Sequence, residues 1–191
     1  MSVLSVKLEL RRKMLHLVGL GVPILYWVTN REFTLFVVGA FIVGFVAFEF
    51  YRWKHGIPLK EAEEIARPLL RPSERRGLGA HVYFSCSAFV SILFYPQSIA
   101  TTAIMMLILG DGAAALVGIK WGEVRLRERR TLEGSLALFL VAFLVGLLML
   151  SPKLALVGAS GAVSAEFLPI NDNLSIPILA GLAMTLATYF P

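Results

Sequence analysis

Cysteine occurs once in the 191 residues, as Cys86 inside an apolar run. One thiol excludes an internal disulfide, and in that setting it reads as a small buried hydrophobe. Charge is scarce too: 16% of residues are Asp, Glu, Lys or Arg, against 57% hydrophobic, and the mean hydropathy is +0.75. A soluble domain of this size cannot hide so much apolar side chain, which leaves an integral membrane protein. The apolar runs are long and continuous instead of alternating, so the class is all-α. No GxxxxGK[ST] run occurs, which excludes a P-loop, and no Gly-rich loop of the protein-kinase kind occurs. There is no convincing internal repeat and no low-complexity segment. No small-residue cleavage pattern surrounds Val28 to Arg31, so the first apolar run reads as a retained helix and not as a signal peptide.

What the chain does have is about seven apolar spans: Met14–Val28, Phe33–Phe50, Ala80–Tyr95, Ser98–Ile119, Ser135–Leu150, Leu154–Leu168 and Leu174–Phe190. Several are short for a bilayer crossing of about 20 residues. With the N-terminus in the cytoplasm, every basic residue except Arg31 and Lys153 falls on the inner side. The positive-inside rule therefore orients the chain, and an odd number of spans puts the C-terminus outside. The net charge of +5 flanks the spans, which is a membrane pattern and not a nucleic-acid one. In the first inner loop, Pro58–Leu70 has apolar residues at helical spacing opposite Glu61, Glu63 and Glu64. This is an amphipathic surface helix, either resting on the membrane or covering a site. Length implies one domain over residues 1–191.

Ionisable groups inside spans are costly and usually face a cavity, so they point to function. Here they are Glu49, Asp111 and Glu166, with Asp172 just beyond a span end. All four lie toward the cytoplasmic side, and no acid is placed in the outer half of any span. Carboxylates gathered on one side from separate helices suit Mg²⁺, which takes oxygen ligands and shares them with phosphates. Asp111 has an alternative role as structural partner to His16 or an arginine. Glu49 is so near the headgroups that its role is evenly balanced. Straight helices would leave Asp111 and Glu166 at depths differing by roughly 7 Å, a gap that a tilt or a break at Gly110 or Gly112 would have to close.

Between the fourth and fifth spans lies a basic loop with Lys120, Arg125, Arg127, Arg129 and Arg130. It leads into Thr131, Glu133, Gly134 and Ser135 at a helix start. The arginines could do no more than satisfy the positive-inside rule. A helix N-terminus with small residues also suits a phosphate, and arginine forks neutralise a triphosphate.

Four pieces together resemble the integral-membrane, CTP-dependent lipid kinases, the family of dolichol kinase, phytol kinase and CTP-type diacylglycerol kinase. They are RRKMLH (Arg11–His16), GDGAAALVGIKWG (Gly110–Gly122), RRTLEGSLA (Arg129–Ala137) and AEFLPINDNLSIP (Ala165–Pro177), in the family's order. The length is similar to the compact prokaryotic and archaeal members. The resemblance implies transfer of the terminal phosphate of CTP to the hydroxyl of a long isoprenoid alcohol or a diacylglycerol-like lipid, at the cytoplasmic face of the cell membrane. It implies a catalytic set of Asp111, His16 and Lys13. It further implies nucleotide contacts from Lys120, Arg129, Arg130, Thr131, Glu133, Gly134, Ser135 and Asn173, and Mg²⁺ held by Asp111, Glu166 or Asp172. Cytidine preference comes from the resemblance alone, since no residue pattern reads out a base.

Two rivals remain. A membrane cytidylyltransferase making a CDP-activated lipid would use the same ingredients. A small ion-coupled transporter would use Asp111 and Glu166 as a relay, although acids on one side fit poorly with a site at the midplane. A CDP-alcohol phosphotransferase is disfavoured, because the DGxxAR start is half met and its downstream aspartate pair is missing.

Overall fold

The computed structural model describes residues 11–56, 77–127 and 130–190. They form helical rods at the seven apolar stretches. We label them α1 (residues 11–17, a 3-10 turn Val18–Leu20, then Gly21–Val28), α2 (Arg31–His55), α3 (Ala80–Phe94), α4 (Gln97–Trp121), α5 (Leu132–Met149), α6 (Pro152–Ala165) and α7 (Asp172–Tyr189). Three of these, α2, α4 and α5, are long and apolar enough to cross a membrane by length and composition, and α3 is a shorter apolar helix. The expected amphipathic helix at Pro58–Leu70 and the Arg71–Arg76 run lie outside the described residues.

α4 is the hub. Its Ile99, Ala100, Ala103, Ile104, Met106, Leu107 and Ile108 are all buried, and with Leu138, Ala142, Ala159, Ala162, Ile176 and Ala180 they form one core. The outer faces carry Phe36, Phe41 and Phe50 on α2 and Leu136, Leu140, Leu144 and Leu148 on α5, all exposed as side chains bathed in lipid would be. Hydrocarbon gives helices no hydrophobic reason to associate, so small residues that allow close approach do the packing. At Gly146 of α5 an added Cβ would stand 2.7 Å from Ala155 Cα on α6, and Gly146→Leu would force those helices apart.

Helix ends away from the acids are tied by polar side chains. Arg31 donates to the carbonyls of Ile92 (2.8 Å) and Leu93 at the end of α3. Gln97 donates to Tyr26 O at 2.6 Å near the end of α1. Each satisfies carbonyls that a helix terminus leaves without intrahelical partners. Lys153 likewise donates to the carbonyl of Phe190 at the end of α7.

α7 tolerates Pro177 in its interior. Proline has no N–H, so the carbonyl of Asn173 loses its usual intrahelical donor. The Ser87 hydroxyl of α3 supplies the replacement, 2.6 Å from Asn173 O and buried. Ser87→Ala should therefore lower the melting temperature in detergent, by the equivalent of about 1–2 kcal/mol. An unchanged melting temperature would show that the carbonyl finds another partner.

The end of α6 and the basic loop differ from the sequence expectation. α6 stops at Ala165 instead of running to Leu168, because Pro169 disfavours helix at the residue before it, and 166–168 close as turns. The basic loop is not featureless: Arg125–Arg127 (β1) pairs antiparallel with Arg130–Thr131 (β2) in a small hairpin between α4 and α5. α4 itself is not uniform, since Met106–Asp111 forms a π-helical segment ending on the aspartate. Such widened turns often mark functional positions.

Candidate active site

The acids and cations at one end of the bundle pair across long stretches of sequence. Lys13 of α1 and Asp111 of α4, 98 positions apart, form an ion pair. Lys13 is buried at 8% exposure, and the Asp111 side chain keeps 20%. A buried ammonium requires such a partner, since an unpaired charge in this setting costs several kcal/mol. The π segment places Asp111 at its last position, directly before Gly112, so the carboxylate sits at a break in helical pitch. Lys13 is thus one structural partner of Asp111. His16, one turn on from Lys13, stands edge-on to Phe84 with ring centroids 5.7 Å apart.

Ser135, in the first turns of α5, donates to Glu166 Oε2 at 2.6 Å in a buried contact. Glu166 follows the last residue of α6 and is 6% exposed. Arg130 of the hairpin forms an ion pair with Asp172 in the first turn of α7. Arg130, Asp172 and Asp111 all lie near enough to Glu166 to act on it through their charges. Side chains from α4, the hairpin, α5 and α7 thus lie within contact or electrostatic reach of Glu166. Asp111 and Glu166, nominally at different depths, share one electrostatic neighbourhood.

The helix start is more occupied than the sequence suggests. Thr131 Oγ1 already accepts from Gly134 N at 3.1 Å, capping α5. The Ser135 hydroxyl is committed to Glu166, and Glu133 Oε1 accepts from Val124 N at 3.1 Å, clamping the hairpin to the helix. Gly122 makes the tight fit of hairpin and helix possible, as an added Cβ there would meet Thr131 Oγ1 at 2.7 Å. Two side-chain atoms here are buried without a hydrogen-bond partner among the described residues, Arg130 Nη1 and Glu133 Oε2. A buried guanidinium nitrogen left unbonded is costly, and an incoming oxyanion would satisfy it. Asn173 is buried at 7%, and its carbonyl is the one that Ser87 engages.

Several expected residues do not join this group. Lys120 is exposed, with its amino group 4.4 Å from the centroid of the Trp121 ring. Arg129 lies outside the described residues. Glu49 is fully buried at the inner end of α2, where it accepts from Arg52 Nε (2.7 Å) and Gly79 N (3.2 Å) and faces His81 Nε2 at 3.2 Å. The sequence reading missed His81 and Arg52 as its partners. The i,i+3 spacing of Glu49 and Arg52 was a usable signal, whereas His81 is 32 positions away in another helix.

For a divalent ion the donors are of the right type, carboxylate oxygen. Their arrangement is less suited: among the described residues no three His, Cys, Asp or Glu side chains are grouped to hold a metal. Asp111 and Asp172 each face a cation, and Glu166 faces a hydroxyl.

Fold and site thus define an all-α protein with membrane-spanning helices and a polar centre of mixed charge at one end of its bundle. No family model matches the chain, and no solved structure matches it. Curated relatives do. A rice (Oryza sativa subsp. japonica) protein named probable phytol kinase 1, chloroplastic, is 30% identical over 68% of this chain and 49% of its own length. The phytol kinase of Synechocystis sp. is 27% identical over 95% of this chain and 80% of its own. The CTP-dependent diacylglycerol kinase 1 of Schizosaccharomyces pombe is 28% identical over 38% of this chain and 34% of its own. The chain thus spans about half of the rice protein and a third of the yeast one. The resemblance to CTP-dependent lipid kinases carried by the motifs is matched by these relatives.

Proposed function

We propose that this protein is an integral-membrane lipid kinase. It transfers the terminal phosphate of CTP to the hydroxyl of a long isoprenoid alcohol at the cytoplasmic face. The observation that carries the reading is a pair of ion pairs, Lys13 with Asp111 and Arg130 with Asp172, whose Asp111, Arg130 and Asp172 all act electrostatically on Glu166. That end is also where the basic residues concentrate in the proposed seven-span topology, with the N-terminus inside and the C-terminus outside. CTP as donor rests on the yeast relative's name, and an isoprenoid acceptor on the names of the phytol kinases.

In the proposed chemistry the acceptor's tail stays in the bilayer and its hydroxyl approaches Asp111. As the oxygen forms its bond to the terminal phosphorus, its proton passes to the Asp111 carboxylate, and the bond to the bridging oxygen breaks to release CDP. Lys13 and Arg130 offset the negative charge of the transferring group, Arg130 through the nitrogen that has no partner among the described residues. Mg²⁺, carried in with the triphosphate, would add Lewis-acid charge compensation, with Asp111, Glu166 or Asp172 as its protein oxygens.

Labelled nucleotide tests this. With purified protein in micelles, CTP labelled at the γ position should label the lipid alcohol, and CTP labelled at the α position should not. Transfer of the α label to a lipid phosphate would replace the kinase by a cytidylyltransferase. A panel of CTP, ATP, GTP and UTP crossed with lipid alcohols fixes the donor and acceptor together.

A further inference from the structure

Apart from the polar centre, the membrane-facing side of α2 carries a groove of about 760 Å³. Its long wall is one stripe of α2, Phe36, Ala40, Gly44 and Phe48, each four residues from the last, with Phe41 beside it and His81 of α3 at one end. The groove has a sequence cause: large rings at both ends of the stripe and the two smallest side chains between them. From Phe36 to Phe48 it runs about 18 Å along the helix, close to one leaflet of hydrocarbon at about 15 Å. Its volume falls within the range of pockets that hold small ligands, roughly 300–1,000 Å³.

The polarity is uneven along its length. Among the described residues no Asp, Glu, Lys or Arg lines the groove, and His81 closes one end. The His81 side chain is 36% exposed and covers the fully buried Glu49 carboxylate, with Phe45 packed edge-on at 4.8 Å between ring centroids. That end leads toward the polar centre. Phe84, one turn along α3 from His81, meets His16, which is one turn along α1 from Lys13 and its partner Asp111.

We infer that this groove binds the apolar tail of the acceptor alcohol, with the hydroxyl end leaving past His81 toward the Lys13–Asp111 pair. The inference rests on the kinase reading above and adds to it where the lipid lies. A single-chain lipid fits: it enters sideways from the bilayer, fills an apolar trough as long as a leaflet, and keeps its polar end at the headgroup level. Glu49 is then a positioning residue that holds His81 across the groove's mouth.

Gly44 offers a clean test, because an added Cβ there meets nothing within 4 Å and the site is exposed. Gly44→Leu fills the trough without straining the fold. With CTP, the KM for a twenty-carbon isoprenoid alcohol should rise about tenfold, the factor that losing one or two buried methylenes produces. A five-carbon isoprenoid alcohol, too short to reach Gly44, should keep its kcat/KM within about twofold. Equal changes for both alcohols, or none for either, would overturn the groove. A photoreactive twenty-carbon alcohol, used without nucleotide, keeps the two proposals apart. It should crosslink to α2 in the wild type and lose that crosslink in Gly44→Leu. Crosslinking elsewhere, or between two copies of the chain through α2, rejects the groove whatever the enzyme assay says. Crosslinking to α2 without phosphorylation by the wild type rejects the kinase instead.

Discussion

Asp111→Asn is expected to reduce lipid phosphorylation by about 10²–10⁴-fold, the usual contribution of a positioned proton acceptor. The amide cannot take the hydroxyl proton, and it cannot balance the Lys13 ammonium that is buried beside it. That second effect complicates the experiment, since an unpaired buried charge costs roughly 3–5 kcal/mol of stability. The double variant Lys13→Met with Asp111→Asn removes both charges. It should recover the melting temperature and leave activity lost. Near-normal turnover by a stably inserted Asp111→Asn, with every alcohol in the panel, would remove Asp111 from the chemistry. Recovery of both stability and activity in the double variant would make the ion pair purely structural.

Arg130→Ala should raise the KM for CTP by about 10–100-fold with a smaller change in kcat. This corresponds to losing one hydrogen bond to a charged group, about 1.5–3 kcal/mol. The argument is one of unfinished bonding. One terminal nitrogen of Arg130 is taken by Asp172, and the other is buried with no partner among the described residues. Arg130→Lys keeps the charge and loses the fork, so it should recover part of the affinity and not all of it. An unchanged KM in Arg130→Ala would take the hairpin out of the nucleotide site. Raised KM together with unchanged binding of a nucleotide analogue would put Arg130 on the lipid instead.

Much of the candidate site was readable before any coordinates. Asp111 and Glu166 stand out because charge in an apolar run is expensive wherever the chain folds. The motif around Arg130–Ser135 was readable for a similar reason, as Thr before a helix with Gly and Ser in its first turn is a capping pattern. What that pattern could not disclose was that the cap would use up its own donors. Thr131 bonding Gly134 and Ser135 bonding Glu166 leave the helix start less free to hold phosphate than its composition implies. Glu49, whose role the sequence leaves evenly balanced, is fully buried beside Arg52 and His81, partners that its position in the chain names only in part.

Local chemistry along the chain is enough to predict apolar helices and their approximate ends. Those follow from the cost of exposing backbone and charge to hydrocarbon, a cost paid residue by residue. Which carboxylate meets which cation is a different matter. The pairing of Lys13 with Asp111, of Arg130 with Asp172 and of Ser87 with a carbonyl freed by Pro177 depends on how the six other described helices are arranged around α4. Small residues set those helix separations. Partner choice is then decided by distance in the packed state, to which spacing along the sequence is blind.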